Sequence, residues 1–292
     1  MKILLFGSSG QIGSEIHRKF SIEYEIKIFS SKEVNFQNLN QLKKCINTVN
    51  PDLIINAAAY TDVNNAEINF EEADTINSKA VSVIAEECRK NEILLIHYST
   101  DYVFDGKSKK PYIETDQTNP LSVYGKTKRN GEQMIKDSYC DNIILRTSWV
   151  YSSNKNNFIR KIINNSINNK ELHIVDDQFG TPTSTEFISN NTLHAVKHMQ
   201  VNRTSDKYFG IYHLTPNGHT NWYEYAVRFM SKVPEKEKGK NCVILPKKTE
   251  KLSSIANRPT FSVLDNRKFS AVFDNRFESW SFYLDKFINK EF

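Results

Sequence analysis

Lys2-Ile3-Leu4-Leu5-Phe6-Gly7-Ser8-Ser9-Gly10-Gln11-Ile12-Gly13 is the stretch whose reading decides the fold. A short apolar run stops at a glycine, as a buried strand does. A G-x-x-G-x-x-G turn follows. Ile12, Ile16 and Phe20 then fall at helical spacing, so Gln11–Phe20 is expected to be a helix. Gly7, Gly10 and Gly13 permit a tight turn and let a pyrophosphate approach the backbone. The helix start would supply unpaired N–H groups and positive partial charge to such an anion.

Outward from this unit the alternation continues. Strands are expected at Glu25–Phe29, Leu53–Asn56, Ile93–Tyr98 and Asn142–Arg146. Helices are expected at Leu39–Val49, Thr75–Asn91 and Tyr124–Lys136. Strands alternating with helices imply an α/β fold, a doubly wound parallel sheet of Rossmann-like form. In such sheets ligands sit at the carboxyl ends of the strands. Gly7, Ala57–Thr61 and Ser99–Tyr102 all fall there. The rhythm changes after Trp149, where helices at Asn154–Asn169, Ser184–Gln200 and Trp222–Lys232 mix with extended Glu171–Val175 and Gly210–Leu214. The expected division is a dinucleotide-binding domain over residues 1–148 and a smaller α/β substrate domain over 149–292. The helix near 184–200 is allowed to pack back on the first domain.

Three patterns carry chemistry. Phe29-Ser30-Ser31-Lys32 ends the second strand without a carboxylate, and Glu33 comes late. Ser30 and Lys32 could instead hold a 2′-phosphate, which tilts the cofactor towards NADPH, with NADH the alternative. Asn56-Ala57-Ala58-Ala59-Tyr60-Thr61 places small residues where a cofactor could pass over the backbone. Ser99-Thr100-Asp101 and Tyr124-x-x-x-Lys128 are the strongest set. Residues four apart share a helix face, so Lys128 can sit near the Tyr124 phenol. A tyrosine of ordinary pKa, about 10, is a poor acid–base group at neutral pH, and a neighbouring ammonium lowers it. A Thr100 hydroxyl beside Tyr124 could bind a substrate oxygen. Together the three place a proton donor on a carbonyl as hydride arrives.

Composition excludes several classes. The chain has 292 residues, with 39% hydrophobic and 25% charged, as in ordinary globular proteins. The net charge is +5, and acidic residues interrupt the basic clusters at Lys232–Lys240 and Lys247–Lys251. No nucleic-acid partner is expected. Four dispersed cysteines, without a C-x-x-C pair, fit a reducing cytoplasm rather than a zinc site or disulfide framework. No apolar run approaches the ~20 residues of a membrane helix, and the apolar start is too short for a signal peptide. His194 and His198 lie four apart, but no further ligand pattern joins them, and no metal is expected.

The chain resembles the extended short-chain dehydrogenase/reductase superfamily and, more narrowly, the dTDP-4-dehydrorhamnose reductase family. The resemblance rests on Gly7–Gly13 with Gln11, Asn56–Thr61, and the run His97-Tyr98-Ser99-Thr100-Asp101-Tyr102-Val103-Phe104-Asp105-Gly106. It continues through Pro120–Lys128, Arg146–Tyr151, Asp177–Thr183, Tyr212–Leu214 and Arg258-Pro259. It implies reduction of the C4 ketone of a dTDP-4-dehydro-6-deoxy-L-mannose to dTDP-L-rhamnose, a surface-polysaccharide precursor. On that resemblance Tyr124 donates the proton, Lys128 binds the cofactor ribose and Thr100 completes the triad. Gly10, Gln11 and Ile12 line the pyrophosphate, with Ala59, Tyr60 and Thr61 further along the cofactor. Val63, Thr100, Asp101, Tyr102 and Trp149 face the sugar, where an indole could stack.

Tyr102 stands where sugar-nucleotide dehydratases carry a glutamate, which argues against elimination. The chain departs from the family at Ser30 and Asn35, where acidic residues are common. Some members use magnesium at a dimer contact; Glu15 could serve, but Asn190 stands where a second acid is expected. A homodimer is left open. So are a related 4-ketoreductase giving a 6-deoxy-talose product and a non-catalytic nucleotide-binding subunit.

Overall fold

Ile3 and Leu5 point to one side of the first strand and Leu4 and Phe6 to the other, and all four are buried. A strand apolar on both faces needs a layer on each side. In the computed structural model, which describes residues 1–153, 157–201, 208–251 and 255–292, that is what it has.

The first half runs β1 (Lys2–Phe6), α1 (Gln11–Phe20), β2 (Glu25–Ile28), α2 (Leu39–Val49) and β3 (Leu53–Asn56). It continues with α3 (Val63–Ile68), α4 (Phe70–Asp74), α5 (Ala80–Lys90), β4 (Leu94–Thr100), α6 (Val123–Ser138) and β5 (Asn142–Thr147). The second half contains β6 (Val150–Tyr151), α7 (Phe158–Asn168), β7 (Glu171–Val175), β8 (Phe179–Gly180), β9 (Thr183–Ser184) and α8 (Thr185–Val201). It ends with β10 (Gly210–His213), β11 (Thr220–Asn221), α9 (Trp222–Lys232), β12 (Val243–Lys247), α10 (Arg267–Val272) and α11 (Trp280–Glu291). The helix expected from Asn154 begins at Phe158; residues 154–156 of that expectation lie outside the described residues.

Six strands form one sheet in the order β10-β5-β4-β3-β1-β2. Every pairing in it is parallel. One face packs on Ile16, Phe20, Phe187, Ile188 and Phe269, from α1, α8 and α10, and on Phe273, the C-cap of α10. The other packs on Leu42, Ile46, Val81, Ile84 and Ile135, from α2, α5 and α6. Three elements of the second half, α8, β10 and α10, thus belong to the layers of the first. β10, from the second half, is the sixth strand of the main sheet, and α8 packs against α1.

The second half also has a separate core of Ile159, Ile162, Ile163, Tyr225, Phe229 and Leu284. Short strand pairs brace it: β7 with β12, β8 with β11, β6 with β9. Of these strands only β7 was anticipated from the sequence; β6, β8, β9, β11 and β12, and helices α10 and α11, were not. Periodicity is weak over so few residues. Among the described residues no helix is long and apolar enough to cross a membrane.

Between Asp62 and Lys90 the chain is more helical than the sequence implied. Asp62 caps α3 by accepting from the Asn65 N–H. A π-helical turn at Thr75–Lys79 then joins α4 to α5. π turns recur at functional sites, and this one carries a residue of the candidate site.

Candidate active site

The glycine turn is built by backbone alone. Gly7 has φ +78°, and a Cβ there would fall 2.5 Å from the Ala57 carbonyl carbon and the Ala58 nitrogen. A Cβ on Gly13 would fall 2.0 Å from the Gly7 carbonyl oxygen. Both glycines are therefore required by the contact of β1, β3 and α1. Gly10 differs: a Cβ there would meet only the Gly7 oxygen, at 3.3 Å. Gly10 also caps α1 without a side-chain hydrogen bond, which leaves the first N–H groups of a ten-residue helix to a ligand. An uncapped helix start behind a tight glycine turn fits a dinucleotide pyrophosphate. Ile12, partly buried, packs on the sheet core. Gln11 reaches into the second half, where its Oε1 accepts from the Ser152 hydroxyl at 2.8 Å.

At the end of β2 the structure adds a carboxylate. Glu33 folds back, and its Oε2 accepts from both the backbone N–H and the hydroxyl of Ser30, each at 2.8 Å. These two bonds hold the Glu33 carboxyl below its usual range. Ser30 is thus committed to Glu33, while Lys32 is exposed. The spacing made Glu33 look too late; the turn at 31–33 brings it back.

Ala59, Tyr60 and Thr61 follow β3 along the same edge. Tyr60 is clamped by a residue that sequence reading missed. Asn77, in the π turn, accepts from the Tyr60 N–H at 2.9 Å and donates to the Tyr60 carbonyl at 3.1 Å. It also reaches Thr127 of α6 at 3.1 Å. Gly131 lets α6 come that close, since a Cβ there would sit 2.2 Å from the Asn77 carbonyl oxygen. The sequence offered only an asparagine inside an expected helix, and its burial shows in the structure alone.

Thr100 ends β4, and Tyr124 and Lys128 rise from the first turns of α6. Ser122 caps α6 by accepting from the Gly125 N–H. Glu67 of α3 accepts from the Val123 N–H at 2.8 Å, which fixes the helix start beside Val63. Tyr124 hydrogen-bonds Thr100, and its ring meets Tyr102 edge-on at 5.8 Å. Burial, opposed by the Thr100 bond, pushes the Tyr124 phenol up to about 12. The sequence pointed the other way, to a phenol depressed by Lys128. The difference is where the lysine points. Lys128 Nζ donates to the Tyr98 carbonyl at 2.7 Å and lies 3.1 Å from His97 Nε2. Burial brings Lys128 down to about 8, with Glu132 opposing.

Asp101 is buried behind Thr100. The Thr100 hydroxyl donates to its Oδ1 at 3.1 Å, and the Ser262 hydroxyl donates to its Oδ2. Burial outweighs these bonds and raises Asp101 to about 7. Tyr102 is shifted upward by burial, then by Asp101, with Arg258 opposing. Arg258 also donates to Asn64 Oδ1 at 3.1 Å, so it bridges α3 to Tyr102. The sequence marked Arg258 only as part of a motif.

Trp149 adopts φ 45°, and its ring stacks on Trp222 at 3.5 Å with an interplanar angle of 8°. A Cβ on Gly180 would fall 2.5 Å from the indole Nε1 and Cε2. One face of the expected sugar platform is therefore already covered by protein. His194 and His198 lie elsewhere, where His194 Nε2 is 2.6 Å from the Phe273 carbonyl and His198 packs edge-on against Tyr208.

The site is thus an uncapped helix start, a clamped backbone strip and a Thr–Tyr–Lys set along one edge of the sheet. The dTDP-4-dehydrorhamnose reductase of Escherichia coli K12 is 34% identical over 304 residues, covering 100% of this chain and 98% of that one. A crystal structure of a dTDP-4-dehydrorhamnose reductase from Clostridium acetobutylicum is 32% identical, with TM-score 0.91 and 99% of each chain covered. One from Bacillus anthracis, in complex with NADP, is 28% identical with TM-score 0.90, again over 99% of each chain. The RmlD substrate binding domain family matches residues 1–292, and the chain belongs to it.

Proposed function

We propose that this chain is an NADPH-dependent oxidoreductase that reduces the C4 ketone of dTDP-4-dehydrorhamnose to dTDP-L-rhamnose, a step in surface-polysaccharide precursor synthesis. The observation that carries it is the convergence of Thr100, Tyr124 and Lys128 beyond the uncapped start of α1. Full-length likeness to reductases of that name supports the substrate.

When bound, the dihydronicotinamide supplies hydride to the ketone carbon. Everything else falls to the chain. Gln11 and Ile12 offer backbone N–H groups to the pyrophosphate, while the Gly10 N–H donates to the Gly7 carbonyl at 3.0 Å and closes the turn. Asn77 holds the Ala59–Thr61 strip under the rest of the cofactor. Tyr124 binds the ketone oxygen, and Thr100 joins it by turning its hydroxyl proton from Asp101 to that oxygen. As the carbonyl becomes an alkoxide, Tyr124 gives it the phenolic proton. A phenol held protonated well into the alkaline range is in the right state for that direction. Lys128 meets the ribose from the buried side. Val63, Tyr102 and Trp149 face the sugar, and Arg258 adds a cation there. Asp101, expected to face it too, is buried behind Thr100 and bonded to Thr100 and Ser262, and so supports the site from behind.

Residues 1–148 serve the cofactor and 149–292 mainly the sugar nucleotide, with α8 and β10 lent to the first part. The four cysteines are free, in keeping with work in the cytoplasm. A homodimer is the assembly to test, by sedimentation.

NADH is the second reading, and Glu33 favours it. A carboxylate at the end of β2 accepts from a ribose 2′-hydroxyl and repels a 2′-phosphate. The deciding experiment is oxidation of NADPH and NADH with the 4-keto sugar nucleotide, followed by NMR of the product. Tyr124→Phe should lower kcat by about 10²–10⁴-fold. Turnover equal to the parent in that variant removes Tyr124 from the mechanism.

A further inference from the structure

Thr100 has one hydroxyl proton, and both Asp101 Oδ1 and a bound ketone oxygen call for it. Its Oγ1 also has two lone pairs. The Tyr102 N–H donates to Oγ1 at 3.2 Å and takes one of them. One proton and one lone pair are left, for Asp101 Oδ1 at 3.1 Å, for Tyr124 and for the substrate. With Asp101 ionised, the proton belongs to Oδ1, and a ketone oxygen meets only a lone pair. Turning the proton away leaves a carboxylate oxygen facing a lone pair inside a buried site, where such a mismatch is costly. A proton on Oδ1 removes both conflicts. Asp101 then donates to Thr100, and Thr100 donates onward to the ketone oxygen.

The surroundings of Asp101 suit that state. It is buried, and among the described residues no cation pairs with it. Ser262, from the far end of the chain, donates its hydroxyl to Oδ2. The Ser262 N–H is tied to the Phe179 carbonyl of β8 at 2.9 Å, which holds that hydroxyl in place. With Oδ2 taken by a donor, Oδ1 is the oxygen left to carry a proton. Arg258 is engaged by Tyr102 and Asn64, and Lys128 of α6 by the Tyr98 carbonyl. Tyr102 and Tyr124 face Asp101 as neutral phenols, and a charge on Asp101 would raise both further. The upward shift of Asp101, to about 7, has the same direction.

We infer that Asp101 and Ser262 are positioning residues: a proton on Asp101 Oδ1, directed there by Ser262, turns the Thr100 hydroxyl to the ketone oxygen. No proton passes along this chain. Tyr124 gives the proton that stays on the product, while Thr100 and Asp101 keep theirs and stabilise the developing alkoxide in series. The inference rests on the reductase reading and deepens it, since a residue of the second half then governs the chemistry as well as the sugar.

The test is kcat/KM against pH, with NADPH and the 4-keto sugar nucleotide. In the parent it should fall with a midpoint of about 7, as free Asp101 loses its proton. Asp101→Asn presents an amide NH₂ to Thr100 and a carbonyl to Ser262 at every pH. It should lose this limb and keep only a later fall near about 8, where Lys128 loses its charge. Ser262→Ala removes a donor that favours the carboxylate, so the limb should move up by about one pH unit. A serine that only supports the fold would lower the rate and leave the limb in place. Carboxyl ¹³C spectra of the aspartate-labelled full chain read the same group without turnover: one carboxyl should titrate near 7 and move up in Ser262→Ala. That pair of spectra decides even if the asparagine variant does not fold. A limb near 7 retained in Asp101→Asn overturns the inference. So does a parent in which every aspartate titrates near the ordinary value of about 4, or a limb unmoved in Ser262→Ala. Absence of ketone-dependent NADPH oxidation at any pH would instead remove the reductase reading.

Discussion

Two corners of one sheet edge are built in opposite ways. At the end of β1 the contacts are backbone on backbone: Gly7 against Ala57 and Ala58, Gly13 against Gly7. At the end of β4 they are side chain on side chain: Thr100 with Tyr124 and Asp101, Lys128 with His97, Glu132 with Arg146. The first corner holds nothing that titrates near neutrality. The second holds Asp101 raised to about 7 and Lys128 lowered to about 8. Anion binding needs only fixed N–H dipoles, whereas proton transfer needs groups whose protonation the surroundings set. The first corner should therefore answer to shape and the second to pH.

The largest effect expected, after the loss of turnover in Tyr124→Phe, comes from the buried pair behind the second corner. Glu132 and Arg146 are both almost fully buried. Glu132→Ala strands the guanidinium and should cost about 3–5 kcal/mol of stability, read by urea unfolding. A loss under about 1 kcal/mol would mean that water reaches Arg146.

Next is the first corner. Gly13→Ala pushes a methyl into the Gly7 carbonyl oxygen. It should cost about 1–3 kcal/mol and weaken NADPH binding, measured by fluorescence titration, at every pH alike. A pH-dependent loss would break the contrast between the corners.

Smaller still is the Asp101 effect. Its folded pKa lies above its unfolded value, so the native state binds the proton more tightly. Its contribution to stability is complete below about pH 4 and is lost as pH rises towards about 7. Asp101→Asn should flatten that slope, and an unchanged slope would assign it to another group. Lys128 has the opposite shape: a depressed base, whose stability rises with pH between about 8 and 10.5.

The smallest effect tests Ser30 and Glu33. Glu33→Gln, at an exposed turn, should leave stability nearly unchanged and shift the NADPH-to-NADH ratio of kcat/KM towards NADPH. No shift would place the 2′ group away from this turn.

The alternation of apolar runs and helical spacing made the sheet and the helices on both its faces readable, because a parallel sheet must be apolar on both faces. The second half was less legible. Its strands are too short to alternate, and β10 belongs to a sheet whose other five strands lie before Thr147. Asn77 was missed because it stands in no local pattern, and Arg258 stood only in the Arg258-Pro259 motif, without a role. Each matters only through partners far along the chain.

The sequence by itself determined the strand–glycine–helix unit, the order of the first five strands and the short spacings that single out Thr100, Tyr124 and Lys128. Those depend on residue type at short spacing. The tertiary structure decided what the spacing could not. It turned Lys128 towards His97, returned Glu33 to Ser30, covered one face of Trp149 with Trp222 and buried Asp101. Each is a choice of partner among distant residues or a degree of burial, and only the packed chain supplies either.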